Sequence, residues 1–362
     1  MENSLSDPLE NDITGVARAA IADSAFTCCA LSIKSGKDYP YRVYLGKPDP
    51  AKPESLQRYA LFDVASLTKP LATTLLALVA LDRKSLRLEE AAATYLPNTP
   101  ALGNGATIED LLSHRSGLPA IPALELCFPD SRTVDREKAI TRLRGIKPVS
   151  EPGRRVEYSC TGFLLLGLIL ERIGGERLST LFHREIALPL GLGHKRPEAG
   201  KALFSPDANM KDDCVPTEFC AWRHRRIKGE VHDESSYCMG GDGGNAGLFA
   251  DLEGVERLFA VYENGAGLIP ERWVGEARRC RTEGMEQRRG LGLLLSGANW
   301  GNETYGHTGF VGTSMWRDPR ASITGIALTN RVYHGREGTL PKIQRFRELF
   351  HASIAKTGGL NP

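Results

Sequence analysis

Charge of one sign is what this 362-residue chain lacks: its 46 Lys and Arg are nearly balanced by 44 Asp and Glu. A nucleic-acid surface needs a basic stripe, so no nucleic-acid partner is expected. The densest basic patch, RHRRIK at 223–228, reads as a solvated loop. Long apolar runs are missing too. The longest, 163–170, falls well short of the roughly 20 residues that span a bilayer. The opening MENSLSDPLEND has neither a basic n-region nor an apolar h-region, so a cytoplasmic protein away from the membrane is expected. Metal-ligand spacing is absent as well. Cys214 and Cys220 have no matching second pair, and His232-Asp233 has no third ligand at coordination spacing. In a reducing compartment the eight cysteines read as small core residues, with Cys28 and Cys29 on opposite faces of a strand. No metal or organic cofactor is expected.

Several catalytic signatures are also missing. There is no G-x-S-x-G elbow and no G-x-x-x-x-G-K-[ST] phosphate loop. Gly241-x-Gly243-x-x-Ala246 imitates a dinucleotide fingerprint, but neither a strand before it nor a helix after it is evident. Internal repeats, low-complexity tracts and an interdomain linker are likewise lacking.

What is present is an ordered set of elements. Residues 8–22 carry apolar positions at helical spacing, and 26–33 and 41–45 read as strands. Helices are expected at about 67–82, 107–113, 161–173 and 176–187. The stretch 195–247 reads as long loops, which are often functional. Strands are expected at 291–295, 313–317 and 323–329, followed by an amphipathic helix at 341–356 that opens on proline. Strands at both ends and helices between them predict an α+β fold, an α/β sandwich. Its antiparallel sheet would be built from about 1–65 and 270–362. Residues 66–269 would form an inserted, mainly helical region with long loops.

FDVASLTKPLATTLLALVALD, at 62–82, places Ser66 and Lys69 on one helical face just where an apolar helix begins. Pro70 fits the first turn, where its missing N–H costs nothing. The helix N-terminus favours a developing oxyanion. The apolar stretch that follows should bury Lys69, and burial should push its pKa down, making the amine a base for the serine proton. A second match, Ser353-Ile-Ala-Lys356, lies within the last helix without a helix start beside it and reads as structural.

The S-x-x-K spacing is the nucleophile motif of β-lactamases and penicillin-binding proteins. The segment around it resembles the serine β-lactamase-related family, of the class C, D-alanyl-D-alanine peptidase and family VIII esterase type. Four more stretches match in order: TIEDLLSHRSGLP (107–119), EPGRRVEYSCTGFLLLGLILERIGG (151–175), GGDGGNAGLF (240–249) and YGHTGFVGTSMWRDP (305–319). The resemblance implies a β-lactamase/transpeptidase-like fold and a serine hydrolase working through an acyl-enzyme. In it Tyr158, from the family's Tyr-x-Asn motif, acts with Lys69 as base and acid. His307, Thr308 and Gly309 stand in the place of Lys-Thr-Gly. The backbone N–H groups of Ser66 and Phe310 form the oxyanion hole. Lys69, His307 and the helix terminus would supply positive charge beside the Tyr158 phenol.

Two positions depart from the pattern. Cys160 takes the asparagine place of Tyr-x-Asn, and a thiol is a weaker donor than an amide. Asn245 stands in the glycine-rich loop where relatives often carry histidine. The resemblance places both in substrate binding, with Thr308 and Gly309. These departures and His307 favour a small ester or amide over a dedicated β-lactam substrate. The alternatives are a D-alanyl-D-alanine-type peptidase, a weak β-lactamase, and a non-catalytic ligand-binding protein of the same fold. The sequence sets no oligomeric state.

Overall fold

The computed structural model describes residues 7–36, 39–193, 200–298 and 300–357. Eleven strands follow in chain order: β1 (Cys28–Ser35), β2 (Tyr41–Gly46), β3 (Phe62–Asp63), β4 (Ala202–Phe204), β5 (Phe219–Cys220), β6 (Arg225–Arg226), β7 (Leu248–Ala250), β8 (Leu294–Leu295), β9 (Tyr305–Thr308), β10 (Ser314–Asp318) and β11 (Ile323–Thr329). The main sheet runs β2-β1-β11-β10-β9-β8. Its first and last contributors join at the centre, with Leu31 opposite Ala327 in an antiparallel β1–β11 ladder.

Alternation along β1 explains why this sheet is covered on both sides. Cys29, Leu31 and Ile33 face a cluster with Phe26, Phe346 and Phe350. That cluster sits beneath two packed helices, Asp7–Ala22 and Leu340–Thr357. Cys28 and Ala30 face the other way, into the large core that also holds Leu75, Phe163 and Leu328. Period-two side-chain direction therefore assigns the two adjacent cysteines to two different cores, as the sequence predicted. Helices thus cover both faces of one antiparallel sheet, in the sandwich arrangement expected from the element order.

Ser66 and Lys69 precede the buried helix Leu75–Asp82, in which every side chain from Leu75 to Leu81 is buried. The segment 65–82 is not one continuous α-helix. It opens as a 3₁₀ turn at Ala65–Leu67 and passes through a π-helical turn at Lys69–Thr74 before becoming α-helical. Pro70 has no N–H to place in an α ladder, and its carbonyl accepts the Tyr262 hydroxyl at 2.7 Å. Wide π turns of this kind cluster at functional sites.

The loop region 195–247 contains more structure than its composition suggested. β4 and β3 both pair with β7, forming a three-stranded sheet beside Ser66. Gly244 lets this region pass tightly over the Cys160–Gly174 helix: a Cβ there would fall 2.1 Å from the Phe163 carbonyl oxygen. The basic patch at 223–228 is not simply solvated. Arg223 is buried, donates to the Val231 carbonyl at 2.6 Å, and lies 4.1 Å from the Tyr237 ring centre. The strand expected at 291–295 is reduced to Leu294–Leu295. Gly292 turns the chain with φ +67° and donates to the Leu112 carbonyl at 2.8 Å.

Candidate active site

The nucleophile candidate sits on a strained turn. Ala65, just before it, is left-handed at φ 48°. Asp63 holds that turn from below: Oδ1 accepts the Ala65 N–H at 2.7 Å, and Oδ2 accepts the His232 N–H at 2.6 Å. Burial raises the Asp63 pKa, partly offset by those N–H groups and by His232. The result is that Ser66 reaches the cleft while Ala65 and Leu67 are buried.

Lys69 is wholly buried. Its Nζ donates to Ser66 Oγ at 3.2 Å, to Cys160 Sγ at 3.4 Å and to the Asn245 carbonyl at 3.0 Å. All three ammonium donors are therefore directed. Burial favours loss of the proton, as the sequence suggested. The negative charge that Cys160 and Tyr158 carry when ionised acts against burial and raises the pKa above the ordinary lysine value. That direction is opposite to the one expected from burial alone.

Tyr158 and Cys160 flank Ser159, the N-cap of the Cys160–Gly174 helix, whose Oγ accepts the Gly162 N–H at 3.0 Å. The turn is pinned again by His114, whose Nδ1 accepts the Ser159 N–H at 3.0 Å. The His114 ring centre lies 4.6 Å from that of Tyr158, and burial lowers its pKa well below the ordinary histidine range. Lys69 Nζ lies 4.9 Å from the Tyr158 ring centre.

His307, on β9, is also neutral. Burial lowers its pKa well below the ordinary range, helped by Arg289 and Lys69. Its Nδ1 sits 2.8 Å from the Thr308 carbonyl, so that nitrogen carries the proton. Nε2 is then an acceptor, buried and without a partner among the described residues. His307 therefore does not supply the cation expected beside Tyr158. Arg289 does: its guanidinium carbon lies 5.3 Å from the Tyr158 ring centre. Arg289 Nε and Nη2 donate to Gln287 Oε1 at 2.9 and 2.6 Å, while Nη1 has no partner among the described residues. Burial lowers the Arg289 pKa to about 10.

The 309–313 turn completes the cleft. Gly309 donates to the Thr313 carbonyl at 2.7 Å. A Cβ at Gly309 would fall 2.0 Å from Thr313 Oγ1, so only glycine fits. Arg347 Nη2 donates to the carbonyls of Gly309 at 2.8 Å and Thr313 at 2.7 Å. Arg331 Nε donates to the Phe310 carbonyl at 2.9 Å. The N–H groups of Ser66 and Phe310 have no hydrogen-bond acceptor among the described residues. Two unused donors on the turns that carry the serine and the Gly309 glycine suit an oxyanion hole.

Ser66, Tyr158, Cys160, His307, Thr308 and Phe310 line one cleft of about 730 Å³. Lys69 lies beneath it, and Gly309 is in its wall. Asn245 is placed differently from its assigned substrate-binding role. Its side chain is buried and Ala246 lines the cleft beside it, while the Asn245 carbonyl holds Lys69. Sequence reasoning missed Arg289, Arg347 and His114. Only His114 carried a signal, because it lies inside the 107–119 segment.

A cleft of this construction, beneath an antiparallel sheet with a serine–lysine pair at the start of a buried helix, defines a penicillin-binding-type serine hydrolase fold. The family model described as Beta-lactamase matches residues 18–347, so the chain belongs to the β-lactamase family. It is 28% identical over 307 residues to a putative D-alanyl-D-alanine carboxypeptidase of Escherichia coli K12, covering 75% of this chain and 69% of that one. Among solved structures, EstCE1, a hydrolase with promiscuous acyltransferase activity, superimposes with a TM-score of 0.75 at 24% identity, covering 96% of this chain and 98% of that one. The simvastatin synthase LovD of Aspergillus terreus does so with a TM-score of 0.74 at 19% identity, covering 97% and 99% respectively.

Proposed function

We propose that this serine hydrolase is a carboxylic ester hydrolase. The observation that carries the reading is Lys69 Nζ at 3.2 Å from Ser66 Oγ, at the base of an open cleft. Ser66 attacks the ester carbonyl. Tyr158, acting as the phenolate that the flanking Lys69 and Arg289 cations stabilise, takes the serine proton and becomes the phenol. The N–H groups of Ser66 and Phe310 meet the oxyanion as it forms. The proton returns to the leaving alcohol, and water then releases the acyl group.

Two features support an ester over an amide. Cys160 offers no amide side chain to hold a substrate's peptide group. One side of the cleft is apolar, with Ala120, Ile121, Pro122, Leu340 and Ile343. A second reading, a D-amino-acid peptidase, rests on Arg289 Nη1. A buried guanidinium N–H without a partner is suited to a substrate carboxylate. The experiment compares turnover of p-nitrophenyl butyrate, nitrocefin and a D-alanyl-D-alanine peptide, with fluorophosphonate labelling mapped by mass spectrometry. Ester turnover with label on Ser66 supports the reading. Faster peptide turnover selects the second reading, and label that persists in Ser66→Ala overturns both.

A further inference from the structure

Cys160 stands apart from the other cysteines of this chain. All eight are free thiols, and five of them, Cys28, Cys29, Cys214, Cys220 and Cys238, are buried. Cys127 and Cys280 are half-buried, but neither lines the catalytic cleft. Cys160 alone combines partial exposure with a place in the cleft wall. Its sulfur is 3.4 Å from an ammonium, and it is the first residue of a 15-residue helix.

The surroundings suit an oxygen added to that sulfur. An anionic sulfur–oxygen group would have the Lys69 ammonium as counter-charge and the helix N-terminus behind it. Two further polar atoms on the same cleft are buried and without partners among the described residues: Arg289 Nη1, on a residue 4% exposed, and His307 Nε2, on one 3% exposed. Arg289 Nη1 is a donor with no acceptor among the described residues, and buried donors of this kind carry a desolvation cost until an oxygen reaches them.

We propose that Cys160 is a reversible oxidation site that switches the enzyme off. The oxidant is a hydroperoxide small enough to enter the cleft. The sulfur attacks one peroxide oxygen, the S–O bond forms and the O–O bond breaks. Sulfur gives up two electrons, and the departing oxygen takes the thiol proton and leaves as water or an alcohol. The product is a sulfenic acid. Its oxygen takes the Lys69 hydrogen bond that Ser66 Oγ now receives, so the serine loses its proton-transfer partner. A small thiol reverses the change: the first thiol displaces water to give a mixed disulfide, and a second restores the Cys160 thiol and leaves as the symmetric disulfide.

The consequence for catalysis rests on the acyl-transfer reading above; the modification itself does not. The full-length protein is treated with hydrogen peroxide and then with dimedone, and the adduct is mapped by peptide mass spectrometry. Ser66 is probed in parallel with a fluorophosphonate. The expected result is dimedone on Cys160, with a loss of Ser66 labelling of about tenfold or more that dithiothreitol restores. In Cys160→Ala and Cys160→Asn, peroxide should leave the remaining labelling within about twofold of the untreated variant. Dimedone confined to Cys127 or Cys280, or an oxidised Cys160 with Ser66 labelling unchanged, overturns the proposal. So do variants as peroxide-sensitive as the parent. If a variant does not fold, reversal by dithiothreitol in the unaltered protein decides the matter. Fluorophosphonate that never labels Ser66 sinks the acyl-transfer reading instead, while the dimedone map still upholds or removes Cys160 as the oxidised thiol.

Discussion

Arg347 Nη2 donates at 2.8 Å to the carbonyl oxygen of Gly309, and that carbonyl belongs to the same peptide unit as the Phe310 N–H. A cation on the oxygen of an amide draws density from its nitrogen and strengthens the N–H as a donor. Arg347, on the C-terminal helix, thus acts on the oxyanion hole through the Gly309 peptide. Removing an oxyanion donor outright costs about 10²–10³ in rate, so losing its polariser should cost less, about tenfold in kcat for Arg347→Met. KM should stay within about twofold, and affinity for a boronic acid transition-state analogue should fall in step with kcat. Arg347→Lys should recover part of the loss. Equal losses in KM and kcat, or no rescue by lysine, would indicate a purely structural arginine.

Lys69→Met should lower kcat/KM for p-nitrophenyl butyrate by about 10²–10⁴-fold, because it removes the ammonium that directs Ser66 Oγ. Ser66→Ala should abolish both turnover and fluorophosphonate labelling. Steady-state kinetics on folded protein, verified by circular dichroism, checks both.

Arg289→Met should separate the two substrate readings. As the cation beside Tyr158, Arg289 should affect kcat for an uncharged ester, with a loss of about tenfold. If a substrate carboxylate binds Nη1, KM for a D-alanyl-D-alanine peptide should rise as well, while KM for the ester does not.

His307 should remain uncharged across the neutral range, since its pKa lies well below the ordinary histidine value. A lowered pKa means that protonation begins only under more acid conditions. The kcat/KM profile should therefore show no histidine limb between about pH 6 and 8. His307→Gln should lower the level of the profile without moving its acid limb. A limb near neutrality that disappears in the variant would contradict the neutral assignment.

Asp251 provides a test on stability. Its Oδ1 caps the Leu252–Asn264 helix through Gly254 N–H at 2.8 Å, and burial raises its pKa from 3.8 to about 6. The folded state then holds the proton more tightly than the unfolded chain. The associated stability is present below about pH 4 and is lost as pH rises through about 6. Asp251→Asn removes this titration. Between about pH 4 and 7 the variant should gain on the parent by up to about 3 kcal/mol in urea unfolding. A pH-independent difference would contradict the assignment.

The parts of the site that were legible in the sequence are those fixed by short-range geometry. Ser66 and Lys69 are three residues apart at one helix start, and His307-Thr308-Gly309 is a contiguous strand end. The α+β layering followed from period-two and helical spacing at the two ends of the chain. What stayed hidden depends on distant partners. The upward shift of the Lys69 pKa comes from Cys160 and Tyr158 acting against burial, and burial alone could not anticipate it. The neutrality of His307 follows from its burial beside Arg289. Arg289 and Arg347 are two arginines among many, and only tertiary packing selects them. Asn245 was assigned through its side chain, whereas its carbonyl holds Lys69.

The pairing of β1 with β11 also has a consequence for biosynthesis. Ser66 and Lys69 leave the ribosome long before the Phe310 N–H does. The strand that carries Thr308, the Phe310 N–H and the Arg347 helix all follow much later. A nascent chain therefore holds its hydroxyl and amine without an oxyanion hole. Synthesis order itself delays reactivity until Phe310 and Arg347 have followed the serine out.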